Sequence, residues 1–474
     1  MTPKRFALLA LAAVVPFSWG CSDELTSPND PQDAAGFTAQ QVAPDLSKAP
    51  TAQRYLVGFN GKAPTQLEEA VAEQGGSLDA VYEKFGVAIV SGIEAAGAEA
   101  IGGVKGVDFI ELEPMFERVL PAVGEASMAD AGVASPSDPT GAFFYQLGWQ
   151  WHMTAANAEG AWSAGRLGSP DVTVAVLDGG ADYTHLDLQG LVDMGRSVSF
   201  IGDPDEYYRN LYFPSAAPFV DMQYHGTHVA ATISSNAEVG AGVTSMTTLM
   251  IVKVCNINGS CPGAAIFQGI VHAVENGADV INMSLGGGFL KKDYPGYVAS
   301  INQLFNYARS NGVTMVVSAG NDELDLDHYP NLFKTYCDAP NVICVSATGP
   351  TSSDDIRYGP FYEVDAPAYY TNYGRSAISV AAPGGNTGGY VWEACSSFSL
   401  YVSCPGGTYI LGLGGTSMAS PHVAGLAALL VEEYGRNPGR IKAAIQQGAD
   451  DLGQRGTDPY YGKGRINIGE TVSD

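Results

Sequence analysis

Six stretches of this chain are almost uninterrupted apolar runs: VTVAVLD (172–178), TLMIVKV (248–254), VINMS (280–284), VTMVVSA (313–319), VICVSA (342–347) and ISVAAP (378–383). A strand with one wetted face alternates apolar and polar residues, whereas a run without alternation fits a strand covered on both faces. Between the runs lie segments of helical period, such as AAIFQGIVHAVENGA (264–278), where Ile266, Ile270, Val271 and Val274 share a face. This alternation predicts an α/β fold: a doubly wound, mainly parallel sheet with helices on both faces, spanning residues 146–474. Sheets of this kind collect their functional groups beyond the carboxyl ends of the strands. The residues that end the runs are therefore the first candidates for chemistry.

Residues 51–120 follow another pattern. YLVGF (55–59) is strand-like, and PTQLEEAVAEQG (64–75) carries Leu67, Ala70 and Val71 at helical spacing. SLDAVY and FGVAIVSG read as strands, EAAGAEAIGG as a helix and VDFIELE as a last strand. The order βαββαβ predicts a small ferredoxin-like α/β domain. Residues 121–145 are mostly small, which reads as a flexible linker open to proteases. Residues 21–50, rich in Pro, Asp, Ser and Gln, read as a flexible tether.

At the N-terminus Lys4 and Arg5 precede the apolar run FALLALAAVVPF (6–17). That run is too short to span a bilayer but suits the core of a signal peptide over residues 1–20, which implies export. Ser18-Trp-Gly-Cys21 resembles the lipobox of bacterial lipoproteins, which implies lipidation of Cys21; ordinary signal cleavage nearby is the alternative. Several acyl chains would hold the chain at a membrane. Lys+Arg number 24 against 50 Asp+Glu, a formal net charge of −26. That balance argues against nucleic acid and anionic membrane surfaces as general partners. The six cysteines after Cys21 fall into three close pairs. Many connectivities are open to them. Short loops, Cys255–Cys261, Cys337–Cys344 and Cys395–Cys404, are the simplest pairing for an oxidising compartment.

Three residues at element ends carry the chemistry. Asp178 closes AVLD, His225 opens the helix of HGTHVAATI, and Ser417 opens the last long helix in GGTSMASPHVAG. A serine hydroxyl becomes a competent nucleophile when an imidazole takes its proton. A carboxylate is needed to hold the imidazole tautomer and stabilise the imidazolium. Taken singly, Asp178 and Asn321 would be turn residues and Ser417 a helix cap; the ordered set changes that reading. The order Asp, His, Ser differs from the Ser, Asp, His order of α/β-hydrolases, and GTSMA lacks the G-x-S-x-G elbow, so a lipase or esterase does not fit.

LDGGADYTHLDL, HGTHVA, INMSLGG, SAGND and GTSMASPHVAG, in this order, resemble the subtilisin family of serine proteases. The resemblance implies an endopeptidase acting on polypeptides, with Asp178 as orienting carboxylate, His225 as general base and acid, and Ser417 as nucleophile. It implies Asn321 as an oxyanion-hole amide, Ser284, Leu285 and Gly286 as a substrate-pairing strand, and Ala319 and Gly320 beside the first pocket. It also makes residues 51–120 similar to an inhibitory prodomain, with self-cleavage near Leu120. A surface protein that kept the fold without activity is the competing class. Ser420, His228 and His422 are read as packing residues.

Two departures from the family pattern stand out. Gly179 follows Asp178 where Ser or Thr is common, and Ala231 replaces a common Gly. No cofactor is implied for the chemistry. Structural calcium is implied at Asp187, or through oxygen ligands of the acidic loop Asp322–Asp327, which reads equally as a solvated loop.

Overall fold

A computed structural model describes residues 54–118, 120, 122–129 and 138–473. The signal segment, the tether and Cys21 lie outside the described residues. No described helix is long and apolar enough to cross a membrane.

The six apolar runs all form strands of one sheet. In chain order they are β7 (Thr173–Asp178), β9 (Thr248–Lys253), β11 (Val280–Met283), β12 (Thr314–Ser318), β13 (Val342–Thr348) and β14 (Val380–Pro383). With the short β8 (Val198–Ser199) they make a seven-stranded parallel sheet in the order β14-β13-β12-β11-β7-β9-β8. Alternate residues of one strand enter different cores. Val174 and Val176 pack into one with the long helix α6 (Thr416–Tyr434), whereas Ala175 and Leu177 pack into the other with α4 (Gly263–Glu275) and α5 (Pro295–Ser310). This is why the runs lack alternation: neither face of the sheet meets water.

Residues 54–112 form the βαββαβ layer: β1 (Arg54–Phe59), α1 (Leu67–Glu73), β2 (Ser77–Tyr82), β3 (Val87–Ser91), α2 (Ala95–Gly102) and β4 (Val107–Leu112). The antiparallel order β2-β3-β1-β4 is ferredoxin-like. Tyr55, Val57 and Phe59 face its own core with Leu67 and Val71, while Leu56, Val87 and Ile89 face outward into the core shared with α4 and α5.

Two carboxylates fasten this layer to the larger body. Glu111 accepts the N–H groups of Gly296 and Tyr297 at 2.7 and 2.8 Å. Glu113 accepts that of Ala264 at 2.9 Å. Each thereby satisfies free donors at the start of a helix, where the helix dipole also favours negative charge.

Part of the segment expected to be a linker forms a strand. Ala122–Met128 forms strand β6, paired antiparallel with β16 (Tyr409–Gly414). Small residues permit the close approach: a side chain at Gly124 would meet the Gly412 carbonyl at 3.2 Å. The three cysteine pairs are joined as the short-loop reading expected.

Candidate active site

Asp178, the last residue of β7, is fully buried at a strand end. Helix α3 (His225–Ile233) begins beside it because Asp221 accepts the N–H of Thr227 at 2.9 Å and its hydroxyl at 2.8 Å, capping the first turn. His225 Nδ1 lies 2.9 Å from both carboxylate oxygens of Asp178. An ionised carboxylate only accepts, so Nδ1 carries the proton and Nε2 presents its lone pair. No hydrogen-bond partner is found for that Nε2 among the described residues. Burial would raise the Asp178 pKa, but Arg118, His225 and the Gly179 N–H outweigh it and hold the carboxyl below its usual range. The pKa of His225 is lowered, first by burial and then by the cation of Arg118, against the opposing pull of Asp178.

Ser417 is the second residue of α6. Its Oγ lies 3.4 Å from the Ser284 carbonyl. Asn321 Oδ1 accepts the N–H and hydroxyl of Thr416 at 2.9 and 2.8 Å. This fixes the amide plane beside Ser417 and turns its NH2 the opposite way. Asn321, Thr416 and Ser417 line a cavity of ≈ 50 Å³ with Gly286, Gly287, Ser318, Gly320, Lys334 and Thr335. The four residues come from the ends of four core elements, and Arg118 links the two pairs: it lines this cavity and donates Nη1 to Asp178 at 2.9 Å. An imidazole held by a carboxylate can take a proton from a hydroxyl, and an amide beside a helix start can stabilise a developing oxyanion.

The other expected residues divide. Gly286 and Gly320 line the cavity, and Gly320 has φ +98°, a backbone region that favours glycine. Leu285 is buried in the core. Ala319 is buried too, and its carbonyl accepts from Asn372 at 2.9 Å. Ser284 turns toward α6: its hydroxyl donates to the Ser417 carbonyl at 2.8 Å and lies 2.8 Å from Ser420 Oγ. Pro421 is the sixth residue of α6, beyond the first turn where proline is harmless. It has no N–H for the Ser417 carbonyl, and Ser284 supplies the missing donor.

His228 and His422 are packing residues, both fully buried. Nε2 of His228 donates to Val391 at 3.0 Å, and burial pushes its pKa down to about 3. Nδ1 of His422 donates to Met418 at 2.8 Å. Ala231 is fully buried in the core that includes α6.

Asp187 does not fit a calcium ligand in this arrangement. Its Oδ1 accepts the N–H groups of Glu238 and Val239 at 3.0 and 2.9 Å, and Oδ2 that of Gly240 at 2.9 Å. Those donors take three of the about four acceptor sites of the carboxylate, including both on Oδ1. In the acidic loop, Asp322 pairs with Lys334 at 2.8 Å and Asp327 accepts from Ser376. No cluster of three or more metal-binding side chains occurs among the described residues.

The end of the N-terminal layer, ELEPMFERVL (111–120), is where the family resemblance expects a segment left in the cleft, and its separate short strand is the part that local pattern did not show. Strand β5 (Met115–Glu117) pairs antiparallel with β10 (Ser260–Pro262) inside the Cys255–Cys261 loop. On the other side, a side chain at Gly287 would come within 2.9 Å of Phe116 Cα and Glu117 N. Phe116 is fully buried among Phe289, Tyr297, Phe333 and Tyr336, with ring centroids 5.2–6.2 Å away. Arg118 donates its N–H to Gly259 at 3.1 Å and its Nη1 to Asp178 at 2.9 Å. Lys253 was also missed. From β9 it donates to the Gly179 and Val220 carbonyls at 2.6 and 3.1 Å and pairs with Asp205 at 2.9 Å, bracing the turn after Asp178. It sat inside an apolar run with no local sign of its partners.

Comparisons with known proteins agree with this geometry. A thermophilic serine proteinase of Bacillus sp. (strain AK1) is 31% identical over 410 residues, covering 86% of this chain and 82% of the relative. Thermitase of Thermoactinomyces vulgaris is 31% identical over 341 residues, 71% of this chain and 99% of its own. Among solved structures, the epidermin leader peptide processing serine protease of Staphylococcus aureus matches with a TM-score of 0.67 at 18% identity, covering 90% of this chain and 98% of that one. Fervidolysin of Fervidobacterium pennivorans matches with 0.65 at 23% identity, and this chain spans 62% of its length. The model of the Subtilase family matches residues 169–464, and the chain belongs to that family of subtilisin-like serine proteases.

Proposed function

We propose that this chain is the precursor of an exported endopeptidase that cleaves itself beside Arg118 and then hydrolyses other polypeptides through an acyl-enzyme. The observation that carries this is the segment Met115–Arg118, held in the cleft as an extended strand whose last side chain touches Asp178. In this reading Nε2 of His225 takes the Ser417 hydroxyl proton as Oγ attacks a carbonyl carbon. The imidazolium, stabilised by Asp178, then returns the proton to the leaving amine. The Asn321 NH2 and the Ser417 N–H receive the oxyanion. Water repeats the cycle on the acyl-enzyme.

Phe116 and Arg118, two residues apart on one strand, turn to the same side. Arg118 meets the imidazole–carboxylate pair, so the next carbonyl is the one offered to Ser417. The cut then falls between Val119 and Leu120. Residues 51–119 are the inhibitory prodomain, since Phe116 and Arg118 block the cleft that a substrate needs. Cys21 precedes the cut, so any lipid there holds the precursor and stays with the prodomain. Structural calcium has no support at Asp187. N-terminal sequencing of the mature protein tests the reading: a start at Leu120 is expected, and a start before Arg118 or beyond Gly148 refutes it. Ser417→Ala is expected to remain uncut and to lose labelling by a serine-directed phosphonate. Self-cleavage by that variant would remove Ser417 from the mechanism.

A further inference from the structure

The departure at Gly179 gains a meaning from what lies against it. Arg118 is 3% exposed, and a guanidinium cannot shed its hydration at such a place without compensation. The compensation is the Asp178 carboxylate, 2.9 Å from Nη1. The other end of the guanidinium lies over Gly179: a Cβ built there would meet Arg118 Nη2 at 3.5 Å and Asp221 Oδ1 at 3.8 Å. A serine or threonine at 179 would carry its hydroxyl into this space or compete for Asp178.

The remaining walls are also polar. Among the described residues Gln223 Oε1, Arg118 Nε and Arg118 Nη2 are buried without a partner, and Gln223 Nε2 and Arg118 Cβ flank the same point above Gly259 at 3.4 and 3.6 Å. The Arg118 side chain thus runs from Gly259, where Gln223 flanks it, to Gly179, where its Nη2 lies. Charge points the same way. The buried groups around the turn at 178–179 include the carboxylates Asp178, Asp205 and Asp221 against the single ammonium of Lys253, with His225 neutral. A bound guanidinium reduces that imbalance.

We propose that this is an arginine-binding subsite: the protease selects polypeptides with arginine two residues before the bond it cuts, and Gly179 is the specificity-determining position that admits the guanidinium. The proposal deepens the protease reading and rests on it. Arg118 is the first occupant, supplied by the chain itself, and substrates succeed it. Because the cation binds the carboxylate that must also stabilise an imidazolium, its benefit falls on KM and not on kcat.

The test uses the self-processed protein and internally quenched peptides built on MFERVL, identical except for arginine, citrulline or alanine at the position of Arg118. Citrulline keeps the shape and removes the charge. The arginine peptide is expected to exceed the alanine peptide by about tenfold or more in kcat/KM and the citrulline peptide by several-fold, through lower KM. In Gly179→Ser the ratio of arginine to citrulline is expected to fall toward one, whatever the absolute rates. Equal cleavage of the arginine and citrulline peptides by the unsubstituted protein overturns the subsite while leaving the protease reading intact. Failure to cleave any peptide, alanine included, overturns both.

Discussion

Phe116→Ala is the sharpest probe of the proposal that the N-terminal layer restrains the protease. The ring is fully buried between Phe289, Tyr297, Phe333 and Tyr336, four aromatic neighbours that belong to the large domain. Transfer of a phenylalanine side chain out of water contributes about 1.5–3 kcal/mol, and leaving its space open raises the loss to about 3–5 kcal/mol. The rings around it pack against one another, Phe289 on Phe333 at 5.0 Å and Phe333 on Tyr336 at 5.4 Å, so the pocket resists collapse. A loss of about 3 kcal/mol is a factor of about 10² in the dissociation constant. Most of such a change falls on the off-rate. The assay is a jump dilution of the self-cleaved complex into a fluorogenic peptide, following the lag before full activity. The variant lag is expected to be about a hundredfold shorter, on the same estimate. A lag within about threefold of the unsubstituted protein would refute the claim that this ring anchors the inhibitory segment.

Three further outcomes follow from the same structure. Burial and the Arg118 cation lower the His225 pKa, so the base stays neutral to lower pH while Arg118 is present. Arg118→Met should let that pKa rise and move the acid limb of self-cleavage to higher pH; a limb that stays put or moves down contradicts the argument. Lys253→Met should destabilise the fold by about 3–5 kcal/mol, because it leaves the buried Asp205 carboxylate without its cation. Urea midpoints measure this, and Asp205→Asn in the same chain should recover part of the loss. Asp187→Ala should lower the thermal midpoint, because it strips the acceptor from the N–H groups of Glu238, Val239 and Gly240; an unchanged midpoint would contradict that account.

What could be read in advance was whatever the sequence encodes locally. The six buried strands announce themselves because their composition follows from having no wet face, and β1 to β4 because their period is short. Asp178, His225 and Ser417 were legible because each sits at the end of such an element. The docking of the N-terminal layer was not. Glu111 and Glu113 were read simply as part of a strand, and their acceptor role depends on helix starts 185 and 151 residues away. Nor did β5 announce itself: Met115–Glu117 is too short for a period, and its strand character comes from pairing with Ser260–Pro262. The order in β6 has the same origin, since Gly124 and Ala126 become a strand through contact with β16.

The proline within α6 has a consequence beyond the hydrogen bond it removes. Helix ends ordinarily fray, because their terminal groups exchange freely with water. Here the Ser417 carbonyl is fastened to Ser284, just past the end of β11, and the Thr416 N–H to Asn321, just past the end of β12. The first turn of the helix is thereby mechanically part of the sheet. Its opening costs what opening the central strands costs, so the Thr416 amide should exchange with deuterium on the timescale of the core. The Ser417 backbone, mounted this way, is held in position by the strands of the sheet.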